Sequence, residues 1–444
     1  MSRPNIIFYF TDQQRWDTMG CYGQRLEVTP NLDKMAKEGT RFDLAFTCQP
    51  VCGPARACLQ TGIYATEVGV HTNGRALKSS DTLARRFNDA GYDTAYIGKW
   101  HLASDNATGG ESYRTTAVPK ERRGGYRHWM AADALEFTSH GYNGTMFDGD
   151  MQPHHFVGYR VDCLNAFAID YIHQWSDNGR EKPFFLFLSH LDPHHQNDRD
   201  RYEGPDGSKH KFADYDVPGD LEGTQGDWRE NYPDYLGSCN SIDDNVGKLM
   251  DTLKAYGIDD NTVIIYTSDH GSHFKTRNEE YKRSCHDSCL RIPMLAWGPG
   301  FMGGNVVDEL VSLIDVPATL LDCAGMDIPQ HYRGGSMKKL VSGQEKDWPQ
   351  SVFAQLSEAQ TGRTVRTKDW KYAVKAPEHL IQNPGSDVYE EAFLYDLKND
   401  PHERNNLIAQ AELEKVRAEL RELLLAYVDE VEGESPQILP AKAQ

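Results

Sequence analysis

The 444-residue chain carries 47 basic against 66 acidic side chains, a net charge of -19, with 39% hydrophobic and 11% aromatic residues. That length sets a prior of two to three domains around a large core, and that balance excludes a disordered chain and disfavours nucleic acid and anionic membrane as partners. An anionic substrate would need a local basic pocket in this acidic body. The apolar run Ile6 to Phe10 is too short for a signal-peptide core, and no stretch approaches a membrane span. Nine scattered cysteines, an odd number, do not form a disulfide framework. A reduced, cytoplasmic enzyme is the expectation.

In chain order, Asn5 to Phe10 reads as a buried central strand ending at Thr11-Asp12-Gln13-Gln14. Thr29-Pro30-Asn31 opens a helix that Gly39 stops, and Asp81 to Ala90 reads as another, closed by Gly91. Tyr92 to Ile97 is a short strand ending at Gly98-Lys99-Trp100-His101. The stretch from about 103 to 160 lacks periodicity and is rich in Gly, Arg, His and aromatics. It is expected to be an irregular, substrate-recognising insertion, with Arg122, Arg123, Trp129, Glu136 and His140 as candidate contacts. Any one of these side chains is about as readily a solvated surface group.

Val161 to Trp175 looks helical, and Pro183 to Leu188 is a strand ending at Ser189-His190-Leu191-Asp192-Pro193-His194. Tyr235 to Tyr256 is a long amphipathic helix, and Thr262 to Thr267 a strand ending at Ser268-Asp269-His270-Gly271. Met294 to Trp297 precedes a Gly-Pro-Gly turn, and Asp315-Val316-Pro317 opens a helix to Gly325. Strands alternating with helices predict an α/β sandwich with a largely parallel sheet. A polar seam near 345 divides a catalytic domain, 1–345, from a smaller α+β domain, 346–444, with β-like pieces at 363–366 and 370–374 and a last helix, Glu412 to Glu432.

Asp12, Lys99, His101, His194, Asp269 and His270 each follow closely on a predicted strand, and open α/β sheets bind ligands at the carboxyl ends of their strands. One such histidine is usually structural; several stations on one sheet shift that balance. Asp12, the Gln13 side-chain oxygen and Asp269 are hard donors suited to Ca²⁺, while His270 widens the choice to Mn²⁺ or Zn²⁺. Arg56, Lys99, His101, His194 and Lys282 supply the positive surface that an oxyanion needs. Within Cys52-Gly53-Pro54-Ala55-Arg56, Pro54 stiffens the chain and Arg56 lies one helical turn from Cys52. Zinc at Cys48, Cys52 and Cys58 is disfavoured, because their spacings match no usual zinc pattern.

These residues resemble the type I, formylglycine-dependent sulfatases of the alkaline phosphatase superfamily. The likeness lies in Cys52-x-Pro54-x-Arg56 with Thr61-Gly62, Gly98-Lys99-Trp100-His101, Pro193-His194 and Ser268-Asp269-His270-Gly271. Lys282 ahead of Leu290-Arg291-Ile292-Pro293 and the tail Leu394-Tyr395-Asp396-Leu397…Asp400-Pro401-His402-Glu403 add to it. The resemblance implies an alkaline-phosphatase-like sandwich with a large mixed sheet. It implies that a maturation enzyme oxidises Cys52 to formylglycine, whose hydrate binds one divalent metal with Asp12, Gln13, Asp269 and His270 and attacks the ester sulfur. Arg56 and Lys99 would hold the hydrate and sulfuryl oxygens, His194 and Lys282 would protonate the leaving alkoxide, and His101 would restore the aldehyde. The implied substrate is a small sulfated molecule, above all a carbohydrate. Two departures point elsewhere: Asp12-Gln13 stands where Asp-Asp is common, and Ala55 where serine is usual. Cys-Gly-Pro-Ala-Arg also resembles the phosphonate monoester hydrolases, which keeps phosphonate or phosphodiester hydrolysis as the alternative. A non-catalytic sulfate- or sugar-binding relative, in which Cys52 stays a thiol, is a third reading.

Overall fold

Two sheets organise the chain in the computed structural model, which describes residues 3–441. The larger contains β1 (Asn5–Thr11), β2 (Thr40–Phe46), β3 (Asp93–Lys99), β4 (His128–Ala132), β5 (Ser139–His140), β6 (Asn143–Asp148), β7 (Pro153–Val157), β8 (Phe184–Ser189), β9 (Thr262–Ser268), β10 (Met294–Trp297) and β11 (Asn305–Ser312). Its order is β11-β2-β10-β9-β1-β8-β3-β4-β6-β5, with β7 paired to β6. The centre, from β9 through β1, β8 and β3 to β4, is parallel throughout, while β10 and the β5–β7 edge run antiparallel to their partners. The sheet is mixed and mostly parallel, as expected.

Every residue of β1 and β9 is buried, which is why both read as unbroken apolar runs rather than alternating ones. Alternate side chains feed two cores. Phe8, Phe10, Phe187 and Ile265 join the helices Cys52–Thr61, Leu83–Asp89 and Asp315–Cys323 on one face. Ile7, Tyr9, Leu186 and Ile264 meet the helices Pro30–Glu38, Arg160–Asp177 and Trp228–Ala255 on the other. The last of these starts seven residues before its expected position and takes Pro233 inside it, although proline usually marks a helix start or stop. Among the described residues no helix is long and apolar enough to cross a membrane, and all nine cysteines are free thiols.

In the stretch 103–160, residues 103–127 are irregular apart from two short 3₁₀ turns, as the composition suggested, but the remainder is mostly sheet. It contributes β4 beside β3 and then the antiparallel β5, β6 and β7, extending the sheet at one edge. These strands run from two to six residues, too short for periodicity to show.

The second sheet orders β12 (Ser351–Leu356), β13 (Gly362–Thr367), β14 (Trp370–Lys375), β15 (Val388–Asp396) and β16 (Gln437–Leu439) in sequence. The helix Glu414–Glu432 packs on it through Leu420, Leu424, Val428 and Val431. Lys371, wholly buried on β14, bonds to both Asp287 and Glu403, and Arg366 lies 3.4 Å from Asp287. This charged seam ties the small sheet to the helix Asp287–Leu290, just downstream of Lys282.

Candidate active site

The carboxyl ends of the neighbouring strands β9, β1, β8 and β3 bring Asp269 and His270, Asp12 and Gln13, His194, and Lys99 and His101 to one place. At Gly98, φ is +109°, and a Cβ there would lie 1.9 Å from the Ser189 carbonyl oxygen. Only glycine lets β3 pass β8 so closely before Lys99 turns inward. Gln13 and His101 also hold left-handed backbone, with φ of 69° and 59°. Such conformations persist where the surroundings fix them and gather at functional sites.

Cys52 opens the buried helix Cys52–Thr61, after extended Val51, and left-handed Gly62 closes it. Pro54 falls in the first turn, where its missing N–H leaves nothing unpaired. The Gly53 amide instead donates to Asn73 Oδ1 at 2.9 Å. The Cys52 sulfur lies 3.3 Å from Asp12 Oδ1, 3.3 Å from His270 Nε2 and 2.8 Å from Lys282 Nζ. His270 Nδ1 meets the Gly271 carbonyl at 2.9 Å, and His194 Nδ1 meets that of His195 at 2.5 Å. A carbonyl only accepts, so both protons sit on Nδ1 and both Nε2 atoms are bare. Lys282 Nζ donates to either, at 3.2 Å and 3.1 Å.

Arg56 is 1% exposed and fixed on three sides: Lys99 O at 2.8 Å, Ser189 Oγ at 2.7 Å and Asp12 Oδ2 at 3.0 Å. Lys99 Nζ stands 2.8 Å from Asp12 Oδ2 and 3.3 Å from Glu136 Oε2. Burial raises the Cys52 thiol pKa, but the Lys282 and Lys99 cations more than reverse this and hold it well below the usual thiol range. Burial likewise opposes ionisation of Glu136, and Lys99 overrides it, bringing that carboxyl to about 2. Asp269 is pushed up to about 7 by burial and by the charge of Asp12.

A cation would reverse that last shift, and the donors fit one. One atom each from Asp12, Cys52, Asp269 and His270 lie within 4.8 Å of one another. The Gln13 amide nitrogen donates to Tyr202 OH at 2.8 Å and Ser272 Oγ at 3.2 Å, which leaves Oε1 buried and without a hydrogen-bond partner among the described residues. Asp269 Oδ2 is likewise without one. Two carboxylates, an amide oxygen and a bare imidazole nitrogen are a donor set for a divalent cation.

Around the sulfur is a pocket of about 70 Å³ lined by Cys52, His101, Glu136, His194 and Lys282, among others. A larger cavity of about 550 Å³, lined by Tyr142 and Glu203 among others, does not include Cys52. His140 lines that cavity instead and bonds to Asp198 at 2.8 Å. Of the five expected substrate contacts, only Glu136 reaches the pocket around the sulfur. Trp129 is in the core on β4, 2% exposed and stacked on Tyr96 at 5.4 Å, and Arg123 lies over its ring at 5.3 Å. Arg122 donates to the Ala103 carbonyl at 2.8 Å. Their composition suggested recognition, but packing commits Trp129 to the core of β4 and the two arginines to the turn that precedes it. The expectation missed Asn73, His195, Tyr281 and Arg283, which also line the pocket. His195 and Arg283 adjoin named residues, whereas nothing in the sequence marks Asn73.

A pocket whose buried cations surround a nucleophile and a carboxylate–imidazole cluster suits an ester with an oxyanionic acid part, on a sheet of alkaline-phosphatase type. Comparison with known proteins narrows this class. The model of the Sulfatase family matches residues 4–326, and that of the N-sulphoglucosamine sulphohydrolase C-terminal region matches 280–430. The uncharacterized sulfatase YidJ of Escherichia coli K12 is 31% identical over 97% of this chain and 88% of its own. The N-acetylglucosamine-6-O-sulfatase of Bacteroides thetaiotaomicron is 27% identical over 95% of this chain and 86% of its own. A solved structure, the sulfatase yidJ of Bacteroides fragilis, superposes with a TM-score of 0.83 at 26% identity, over 97% of this chain and 96% of its own. The chain belongs to the sulfatase family and is a sulfate-ester hydrolase.

Proposed function

We propose that this sulfatase releases inorganic sulfate from a small sulfated carbohydrate, with Cys52 matured to formylglycine by a separate enzyme and one divalent cation, Ca²⁺ before Mn²⁺ or Zn²⁺. The observation that carries this reading is the buried meeting of Asp12, Cys52, Asp269 and His270 donor atoms, with Arg56, Lys99, His194 and Lys282 around them. Asp12, Gln13, Asp269 and His270 would hold the cation beside residue 52. Together the aldehyde hydrate and the cation supply a hydroxyl nucleophile at neutral pH. The sugar is supported by the name of the Bacteroides thetaiotaomicron relative.

The chain's own groups divide the remaining work. Arg56, tied down by three contacts, and Lys99, between two carboxylates, neutralise oxyanion charge without reorganising. Lys282 stands between the nucleophile and the bare Nε2 of His194, so the pair can hold a proton and pass it to the departing oxygen. A sugar alkoxide is a poor leaving group, and such help is typically worth ~10²–10⁴-fold. His101, at the mouth, has Nδ1 buried and without a partner among the described residues, free to take a proton from residue 52.

The test combines peptide mass spectrometry for an aldehyde at position 52, metal analysis of wild type and Asp269→Ala, and sulfate release from defined sulfated sugars. An aryl sulfate should be cleaved with higher kcat/KM than the matching aryl phenylphosphonate. Full activity with an unmodified thiol, or with Asp269→Ala, would overturn the mechanism, and a preference for the phosphonate would overturn the reaction.

A further inference from the structure

The pocket around Cys52 continues into a second chamber of about 250 Å³, and the two share Asn73, His101, Glu136 and Asn197 as common walls. The chamber is smaller than the roughly 300–1,000 Å³ of sites that take drug-sized ligands, and matches one sugar ring more than an oligosaccharide. Its remaining lining is polar except for Phe137, an exposed ring at the rim. Arg114 lies over that ring, with its guanidinium carbon 3.9 Å from the centroid.

Charge bookkeeping singles out this arginine. Asp133 is saturated by the Ala103 amide at 2.9 Å, the Ser104 amide at 3.0 Å and the Ser104 hydroxyl at 2.5 Å. Glu136 faces Lys99 at 3.3 Å. In the neighbouring loop, Asp105 pairs with Lys78 at 2.7 Å and Glu111 faces Arg122 at 3.8 Å. Arg114 has no hydrogen bond or ion pair among the described residues, in a chain with 66 acidic against 47 basic side chains. Stacking fixes the plane of a guanidinium while leaving its N–H edges open, and those edges match a carboxylate or sulfate in a fork.

We propose that this chamber seats the sugar bearing the scissile sulfate, and that Arg114 reads a second anionic group on it, a sulfate or a carboxylate. The inference rests on the proposed sulfatase mechanism at Cys52 and adds what selects its substrate. A monosulfated neutral sugar would leave Arg114 without a partner, whereas a disulfated sugar or a sulfated sugar joined to a uronate would engage it.

The experiment uses the matured enzyme with 4-nitrophenyl sulfate as reporter. Competitors are N-acetylglucosamine and N-acetylgalactosamine 6-sulfates, the same sugars with a second sulfate, and their disaccharides with a uronic acid. Doubly charged sugars are expected to inhibit the reporter, and to be turned over, about tenfold better than the monosulfates. Arg114→Gln should erase that difference, and Arg114→Lys should keep part of it. Both variants should stay within about twofold of wild type on 4-nitrophenyl sulfate, which is too small to reach the rim. Whether the second sulfate or the uronate carries the gain identifies the group that is read. Equal inhibition by singly and doubly charged sugars in wild type, or equal weakening of both by Arg114→Gln, overturns the proposal. A matured wild type that releases sulfate from neither 4-nitrophenyl sulfate nor any of the sugars overturns the underlying mechanism, and this proposal with it.

Discussion

Lys282 reaches the Cys52 sulfur from a loop 230 residues away and stands 3.1 Å from His194, so its value should depend on the leaving group. Lys282→Ala is expected to cost about 10²-fold or more in kcat on a sugar sulfate. The loss on 4-nitrophenyl sulfate should be clearly smaller, because a nitrophenolate departs without a proton. Equal losses on both, measured under saturating substrate, would remove Lys282 from proton transfer. Residues such as Asp12, Lys99 and Asp269 were legible because each ends or directly follows an apolar strand, at the carboxyl edge of the sheet. Trp129 and Arg123 misled for the opposite reason. An aromatic and an arginine in a patternless stretch suggest a binding wall, yet here they stack on each other inside a five-residue strand's packing.

The small sheet reaches the active site through one turn. Glu358, between β12 and β13 and held at φ of 68°, accepts from the Asn73 amide at 2.5 Å and pairs with Arg283 at 2.6 Å. Asn73 in turn anchors the Gly53 amide next to Cys52, and Arg283 follows Lys282 in sequence. One carboxylate thus sets both the nucleophile's helix start and the second lysine. Glu358→Ala should lower kcat about tenfold with KM little changed and cost about 1–3 kcal/mol of stability, with partial rescue by Glu358→Gln. A KM effect alone in steady-state kinetics would contradict this positioning role. Two strands of the small sheet, β13 and β14, read as β-like pieces from the sequence although their inward positions carry charge. Arg363 and Lys371 are 1% and 0% exposed, paired to Glu432 at 2.7 Å and to Asp287 and Glu403. A pattern that counts charged residues as outward-facing inverts there, whereas the last helix, expected over Glu412 to Glu432, turns Leu420, Leu424, Val428 and Val431 inward.

At the scale of the molecule, a cation that binds only the folded chain adds stability by mass action, about 2.7 kcal/mol at a hundred times its Kd. Chelation should therefore lower Tm by several degrees as well as abolish turnover, and restored Ca²⁺ should reverse both in a thermal scan. Acid acts through a different group. His190 is fully buried against Tyr9, with ring centroids 4.9 Å apart, and burial holds its pKa down at about 4. The unfolded chain takes up that proton near 6.5, so the stability is present above pH 6.5 and is lost as pH falls towards 4, by up to about 3 kcal/mol. Asp315, pushed up to about 7 by burial, contributes in the opposite sense, losing stability as pH rises. Comparing wild type with His190→Phe cancels that contribution. The variant's Tm should fall less between pH 6.5 and 4, and parallel curves would show that His190 titrates alike in the folded and unfolded chain.

The position of β1 sets a timetable for the newborn chain. It precedes both of its pairing partners in the chain and is the middle strand of the site, with β8 on one edge and β9 on the other. Its pairing partners begin at Phe184 and Thr262, so Ile6-Ile7-Phe8-Tyr9-Phe10 must wait for the strand Thr262–Ser268 to be synthesised before both edges are covered. During that wait it is a short, uncharged, strongly β-forming segment, the kind that seeds intermolecular pairing. Cys52 ends 1% exposed against His270 and Lys282, both synthesised after it, so its thiol is expected to be more accessible over the same interval. Slowing translation or raising temperature therefore lengthens one window that serves both events: access to the thiol and the hazard of aggregation.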